Sequence, residues 1–279
     1  MTGTKIVTDS ACDLPDQLLN DLGIGLVPLR VRFGQEEFVD RAELSAKEFW
    51  ARCATETGLP ETSAPAPGAF CEEFSRMADQ GAEAVVCVCL SSKLSATAEA
   101  ARQAARQLES SLRVEVVDSL SVTMGEGLVV WEAANVAARG GSTEQVLEAA
   151  HRAVRTMKVY GAIDTLENLK KGGRIGAAQA LLGSLLAIKP VIEVRDGVVH
   201  EESKQRTRAR SLRYLADKVR RACPVARLAA FSADASDFDE FLQMLSEVTT
   251  PDELVVGDIG PVIGTHAGRG AIGVAWLPA

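Results

Sequence analysis

The stretch "EAVVCVCLSSKLSATAEAARQAARQLESSLRVEVVDS", Glu83–Ser119, decides how the chain is read. Its start is a continuous apolar run of strand length, as expected for a strand buried on both faces. Four hydroxyls follow within the seven residues "SSKLSAT" (91–97). A small-residue helix, "AEAARQAARQL", comes next, then a second strand, "RVEVVDS". Strand, helix and strand in this order form a βαβ unit, and such units build parallel sheets.

The same alternation extends to both sides. "KIVTDS" (5–10) reads as a strand, and "IGLVPLRVRF" (24–33) as an extended run that Pro28 bends or confines to an edge. "SAKEFWARCAT" reads as a helix capped by Ser45, and "ETSAPAP" (61–67) as a loop. "AFCEEFSRMADQG" is the next helix, ending at Gly81. "VTMGEGLVVWEAANVAARGG" and "TEQVLEAAHRAVRTM" read as two more.

Beyond residue 157 the pattern changes. A hairpin is expected in "KPVIEVRDGVVHEES", turning at Asp196-Gly197, and an apolar helix in "AAQALLGSLLAI" (177–188). A basic helix, one further strand–helix pair and two more strands complete a mixed layer. The expected fold is α/β in two domains. Residues 1–157 form an N-terminal three-layer α/β/α domain with a mainly parallel sheet. Residues 158–279 form a C-terminal two-layer α/β domain with a mixed sheet.

Composition narrows the function. The 279 residues are 47% apolar and carry a net charge of -8, which argues against nucleic-acid binding as the protein's role. No apolar run reaches membrane-spanning length, and "MTGTKIVTDS" lacks the apolar core of a signal peptide. The six scattered cysteines contain no CxxC pair and read as reduced cytoplasmic thiols. The three histidines, 151, 200 and 266, are not spaced as metal ligands, so neither a metal nor another cofactor is expected.

In an open α/β sheet, ligands sit beyond the carboxyl ends of the strands. "TDS" (8–10), "SSKLSAT" (91–97) and "DS" (118–119) end there, with "ETSAPAP" placed to fold over them. Hydroxyls and helix N-terminal N–H groups suit an anion such as phosphate or carboxylate. A plain helix cap at Ser95 or Thr97 is the rival reading. No capping box supports it, since Ala98 stands three residues after Ser95. No G-x-S-x-G elbow marks a nucleophile.

"KKGGRIG" (170–176) is either a helix C-cap or a glycine turn bringing Arg174 to an anion. His266 lies in the glycine-rich run 257–276, expected as a loop after a strand. Residues 189–221 hold ten Lys and Arg against five Asp and Glu, either a solvated helix face or a docking surface for an acidic partner.

Eight segments, taken together and in order, resemble the DegV family: "KIVTDSACDLP", "VPLRVRFGQEEFVD", "ETSAPAP", "SSKLSAT", "VVDS", "TLENLKKGGRIG", "IKPVIEVRDG" and "GPVIGTHAGRGAIGV". They span residues 5–276, nearly the whole chain. The resemblance implies two α/β domains with a deep apolar pocket near their interface. In the family, this pocket holds a long-chain fatty acid. The best-understood members are acyl-binding subunits that present the carboxylate to a separate ATP-dependent fatty acid kinase subunit. Transient membrane contact is compatible with such a cargo.

Carried onto this chain, the resemblance implies that Thr62, Ser95 and the N–H of Ala96 hold the carboxylate, with His266 close by. Arg174 would serve near the pocket mouth or in phosphoryl transfer. Arg206 would face the kinase. Asp9 and Ser10 would shape the loop beneath the head group, and Ser91 and Ser92 would be loop formers. Where the family usually reads Ser-Gly-Thr, this chain has Ser95-Ala96-Thr97, so the loop must accept ordinary backbone angles. A more distant likeness, to the substrate-binding subunit of dihydroxyacetone kinases, would make His266 a covalent trap for a small ketone.

Overall fold

A computed structural model describes residues 3–56, 58–181, 188–248 and 254–279. Four parallel strands form the first sheet, in the order β2-β1-β6-β7: β1 (Thr4–Asp9), β2 (Gly25–Val27), β6 (Ala84–Cys89) and β7 (Arg113–Asp118). Helices α3 (Pro67–Asp79) and α4 (Thr97–Leu108) cover one face, where Phe70, Phe74 and Ala101 pack on Val7, Val85 and Cys87. Helices α5 (Thr123–Ala138) and α6 (Thr143–Thr156) cover the other, against Ile6, Val86 and Val88. This is the expected three-layer arrangement. Both faces of β6 are covered, which is why it reads as an unbroken apolar run.

The second sheet is mixed, in the order β10-β9-β8-β13-β11-β12. Its strands are β8 (Lys158–Ala162), β9 (Lys189–Arg195), β10 (Val198–Gln205), β11 (Val225–Ser232), β12 (Leu254–Asp258) and β13 (Ile272–Pro278). Period-two alternation separates its faces. Tyr160, Leu228, Val274 and Trp276 meet α8 (Arg208–Ala222) and α9 (Phe238–Ser246). Val159, Ala229 and Ala275 turn inward to the same core as α5 and Ile6. The α5–α6 layer thus lies between the two sheets.

Local chemistry accounts for the boundaries. Helix α2 (Ala46–Cys53) starts at Ser45, whose Oγ accepts from Glu48 N at 3.3 Å while Glu48 accepts from Ser45 N at 3.0 Å. Asp196 and Gly197 take φ of 50° and 82°, the left-handed pair of a tight hairpin turn. Pro28 splits the extended run: β2 stays in the first sheet, while β3 (Arg30–Phe33) joins a separate antiparallel sheet, β4-β3-β5, with β4 (Glu36–Val39) and β5 (Glu61–Ser63). The chain also forms α1 (Asp16–Asp21) and α7 (Glu167–Lys171).

Three expectations change. "ETS" is not loop but strand β5, because it pairs with the open edge of β3. The glycine-rich run forms a short helix, α10 (Pro261–Ala267), which Pro261 opens and Gly268, at φ 82°, closes. Of the apolar helix expected over 177–188, the part up to Leu181 is a 3-10 turn, Gly176–Leu181, and 182–187 lie outside the described residues.

Candidate functional site

The carboxyl ends of β1, β6 and β7 are adjacent, and hydrogen bonds tie their loops together. Asp9 accepts from Ala11 N at 3.0 Å through Oδ1 and from Leu90 N at 2.9 Å through Oδ2. Ser91 N donates to Ser121 O at 2.8 Å, and Asp118 Oδ1 accepts from Leu120 N and Ser92 N. Ser10 Oγ accepts from Leu29 N at 3.0 Å. Leu29 and Leu90 line a cavity; Asp9 and Ser10 do not, and hold its wall from behind through the N–H groups of Leu90 and Leu29. Full burial pushes the Asp9 carboxyl up to about 7.

That cavity, of about 210 Å³, lies where the two sheets and the small sheet meet. Most of its wall is aliphatic, including Leu29, Leu90 and Val122 from the first half and Ile192, Val199 and Val262 from the second. Its polar lining includes Thr62, Ser95, Arg174 and His266. Five of the residues singled out in the sequence therefore meet there: Thr62, Ser95, Ala96, Arg174 and His266. Arg206 is exposed in the bend between β10 and α8 and does not line the cavity.

The loop before α4 is a tight turn. Ser91 O accepts from Leu94 N at 3.0 Å and from Ser95 N at 3.1 Å. Ser95 Oγ accepts from Thr97 N at 3.3 Å and lies 2.9 Å from Thr97 Oγ1. The N-cap of α4 is Ala96 and no side chain caps it, so the plain-cap reading of Ser95 or Thr97 is not met. If the buried Thr97 hydroxyl donates to Ser95 Oγ, the Ser95 hydroxyl hydrogen is left for a ligand. No acceptor among the described residues takes the N–H of Ala96, which sits at the positive end of a twelve-residue helix. Ala96 has φ -79° and ψ 2°, angles open to any L-residue, so the loop accepts alanine.

Facing this loop, Thr62 sits on β5 opposite Val31 of β3, and its Oγ1 lies 3.0 Å from His266 Nε2. Burial, then the neighbouring Arg174 cation, lowers the His266 pKa to about 4, so the imidazole is neutral near pH 7. Gly172 passes so close that a Cβ there would lie 2.4 Å from His266 Nδ1. Arg174 bridges the two sides: Nη1 donates to Gly172 O at 2.7 Å and Nε to Leu94 O at 3.1 Å. Two of its five N–H donors are thus spent on backbone carbonyls.

One contact is not visible in the sequence. Ser91, expected as a loop former, donates from Oγ to Gly197 O at 2.7 Å, and Lys93 Nζ donates to Asp196 O at 2.7 Å. The tip of the β9–β10 hairpin is thereby fastened to the loop that carries Ser95. Nothing in the sequence couples positions 91 and 197. Among the described residues, no group of three or more His, Cys, Asp or Glu side chains is placed to hold a metal. No described helix is long and apolar enough to cross a membrane.

Comparison with known proteins agrees with this architecture. A DegV domain-containing protein of Listeria monocytogenes is 33% identical over 277 residues, covering 97% of each chain. One of Deinococcus radiodurans is 37% identical over 281 residues, covering 98% of each. A DegV family protein from Thermus thermophilus, described as binding fatty acid, superposes with a TM-score of 0.91 at 32% identity, covering 99% of each chain. The Bacillus subtilis DegV, described as a fatty acid binding protein, has a TM-score of 0.89 at 28% identity over the whole of both chains. The model of a family of uncharacterised proteins, DegV, matches residues 3–279. The chain belongs to the DegV family.

Proposed function

We propose that this protein binds a long-chain fatty acid in the aliphatic cavity and presents its carboxylate to a separate ATP-dependent kinase subunit. The observation that carries the reading is the gathering of Thr62, Ser95 and the unclaimed N–H of residue 96 at one polar part of an otherwise aliphatic cavity. Fatty acid binding by the Thermus and Bacillus relatives supports it. Neutral donors hold a carboxylate without locking it in an ion pair, which leaves an oxygen able to attack a phosphoryl group. Each methylene buried contributes about 0.8 kcal/mol, and each head-group hydrogen bond about 1 kcal/mol net. Affinity therefore comes mainly from the tail, and the head stays available for chemistry.

Lipid extracted from protein purified from cells is the direct test. Mass spectrometry is expected to find a long-chain fatty acid in stoichiometric amount. A protein that carries none and takes up neither palmitate nor oleate would refute the reading. The kinase half is tested separately with Arg206→Glu. Acyl phosphate formation with a cognate kinase should fall by at least an order of magnitude while lipid binding persists. Unchanged turnover would remove Arg206 from the docking surface. Covalent capture of a small ketone by His266 gains no support, because Nε2 already engages Thr62 and most of the cavity wall is aliphatic.

A further inference from the structure

The contact between Ser91 and Gly197 joins two parts of the cavity that have different roles. Ser91 is fully buried at the end of β6. Its carbonyl accepts from Leu94 N and Ser95 N and so shapes the turn that presents Ser95 and the N–H of residue 96. Its hydroxyl donates to Gly197 O and also accepts from Lys93 N at 3.3 Å. On the far side of the hairpin tip, Ile192, Val194 and Val199 of β9 and β10 form part of the aliphatic wall. The fit at the tip is close. A Cβ on Gly197 would lie 2.6 Å from Ser91 Oγ, and the φ of 82° there disfavours any side chain.

We propose that Ser91 is a positioning residue that couples the acyl tail to the carboxylate grip. This rests on the fatty-acid reading. A tail long enough to pack against Ile192, Val194 and Val199 seats the hairpin. The seated hairpin, through Gly197 O and Asp196 O, holds loop 91–96 in the geometry that receives a carboxylate. A short tail leaves that wall uncovered, and the loop loses its outer support. Chain-length selectivity is then exerted at the head group, through a residue that does not line the cavity.

The test compares palmitic acid, methyl palmitate, decanoic acid and methyl decanoate, each displacing a fluorescent fatty acid from the full-length protein. In the wild type, the preference for acid over ester is expected to be larger for the long chain. Ser91→Ala should lower the palmitic acid preference about tenfold, to that of the short chain, with methyl palmitate affinity kept within about twofold. Lys93→Met, which removes only the contact to Asp196 O, should act in the same direction and more weakly, and it serves if Ser91→Ala does not fold. Equal loss of acid and ester in both variants would reduce Ser91 to a structural role. So would a wild-type preference independent of chain length. A wild type that binds none of the four lipids would instead overturn the fatty-acid reading, and this inference with it.

Discussion

Thr62 Oγ1 and His266 Nε2 lie 3.0 Å apart across 204 residues of sequence. With the imidazole proton on Nε2, the ring donates to Oγ1 and the threonine hydroxyl hydrogen is free for a carboxylate. With the proton on Nδ1, Thr62 donates to the ring and has none to give. A bound carboxylate therefore selects the Nε2–H form. Thr62→Ala and His266→Ala are each expected to weaken palmitate binding about tenfold, about 1.4 kcal/mol. The double variant should be little weaker than either, because the two groups act as one donor. Additive losses in calorimetric titrations would show that they act independently.

Ala96 already occupies ordinary backbone angles. Ala96→Gly should leave palmitate affinity unchanged. It should also lower stability by about 0.4–1 kcal/mol, by giving the unfolded chain more freedom. Denaturant unfolding together with a binding isotherm checks both. A gain in affinity would mean that the methyl group restrains the loop.

Arg174 ties Leu94 O to Gly172 O and also bears on His266. Arg174→Met is expected to weaken palmitate binding about tenfold by loosening the loop. The same change should raise the His266 pKa from about 4 while leaving it below 6.5, since burial, the larger cause, remains. Histidine ring NMR across a pH titration separates these effects.

Buried carboxyls make stability depend on pH. Burial pushes Asp13 up to about 8, Asp9 to about 7 and Asp40 to about 6. An acid whose folded pKa exceeds its unfolded value favours the folded state most below the unfolded value, near 4. That advantage is lost as pH rises through the folded value. The melting temperature should therefore fall as pH rises toward 8. His266 acts in the opposite sense between about 4 and 6.5, so the clean window lies above 6.5. Asp13→Asn keeps an oxygen for Gly260 N, which Asp13 Oδ1 accepts at 3.0 Å, and removes the titration. Melts of this variant should show a flatter decline between pH 7 and 8; an identical slope would exonerate Asp13.

Much of this was legible in the sequence because it is local. Strand β6 announced itself by composition, the hairpin by Asp196-Gly197, and α2 by its Ser45 cap. Thr62, Ser95, Ala96, Arg174 and His266 came from family resemblance together with hydroxyls at strand ends. Strand β5 was not legible, since three residues without an apolar stripe become a strand only when β3 offers its edge. Nor was the Ser91 contact to Gly197, where a common residue acquires its role from a partner 106 positions away. Asp9 and Ser10, expected to shape the loop beneath the head group, do not line the cavity; sequence marks the loop but not which of its side chains turn inward.

Helix α5 has a further consequence. From Thr123 to Trp131 every residue is buried, with the β1 side of the first sheet against it on one side and the second sheet on the other. A local opening of either sheet alone would leave the other still packed on this segment. Its amide hydrogens should therefore exchange with heavy water only when the whole molecule unfolds. Their exchange rates would then measure global stability directly, with lipid and without it, and the difference between the two would give the free energy that the cargo adds to the fold.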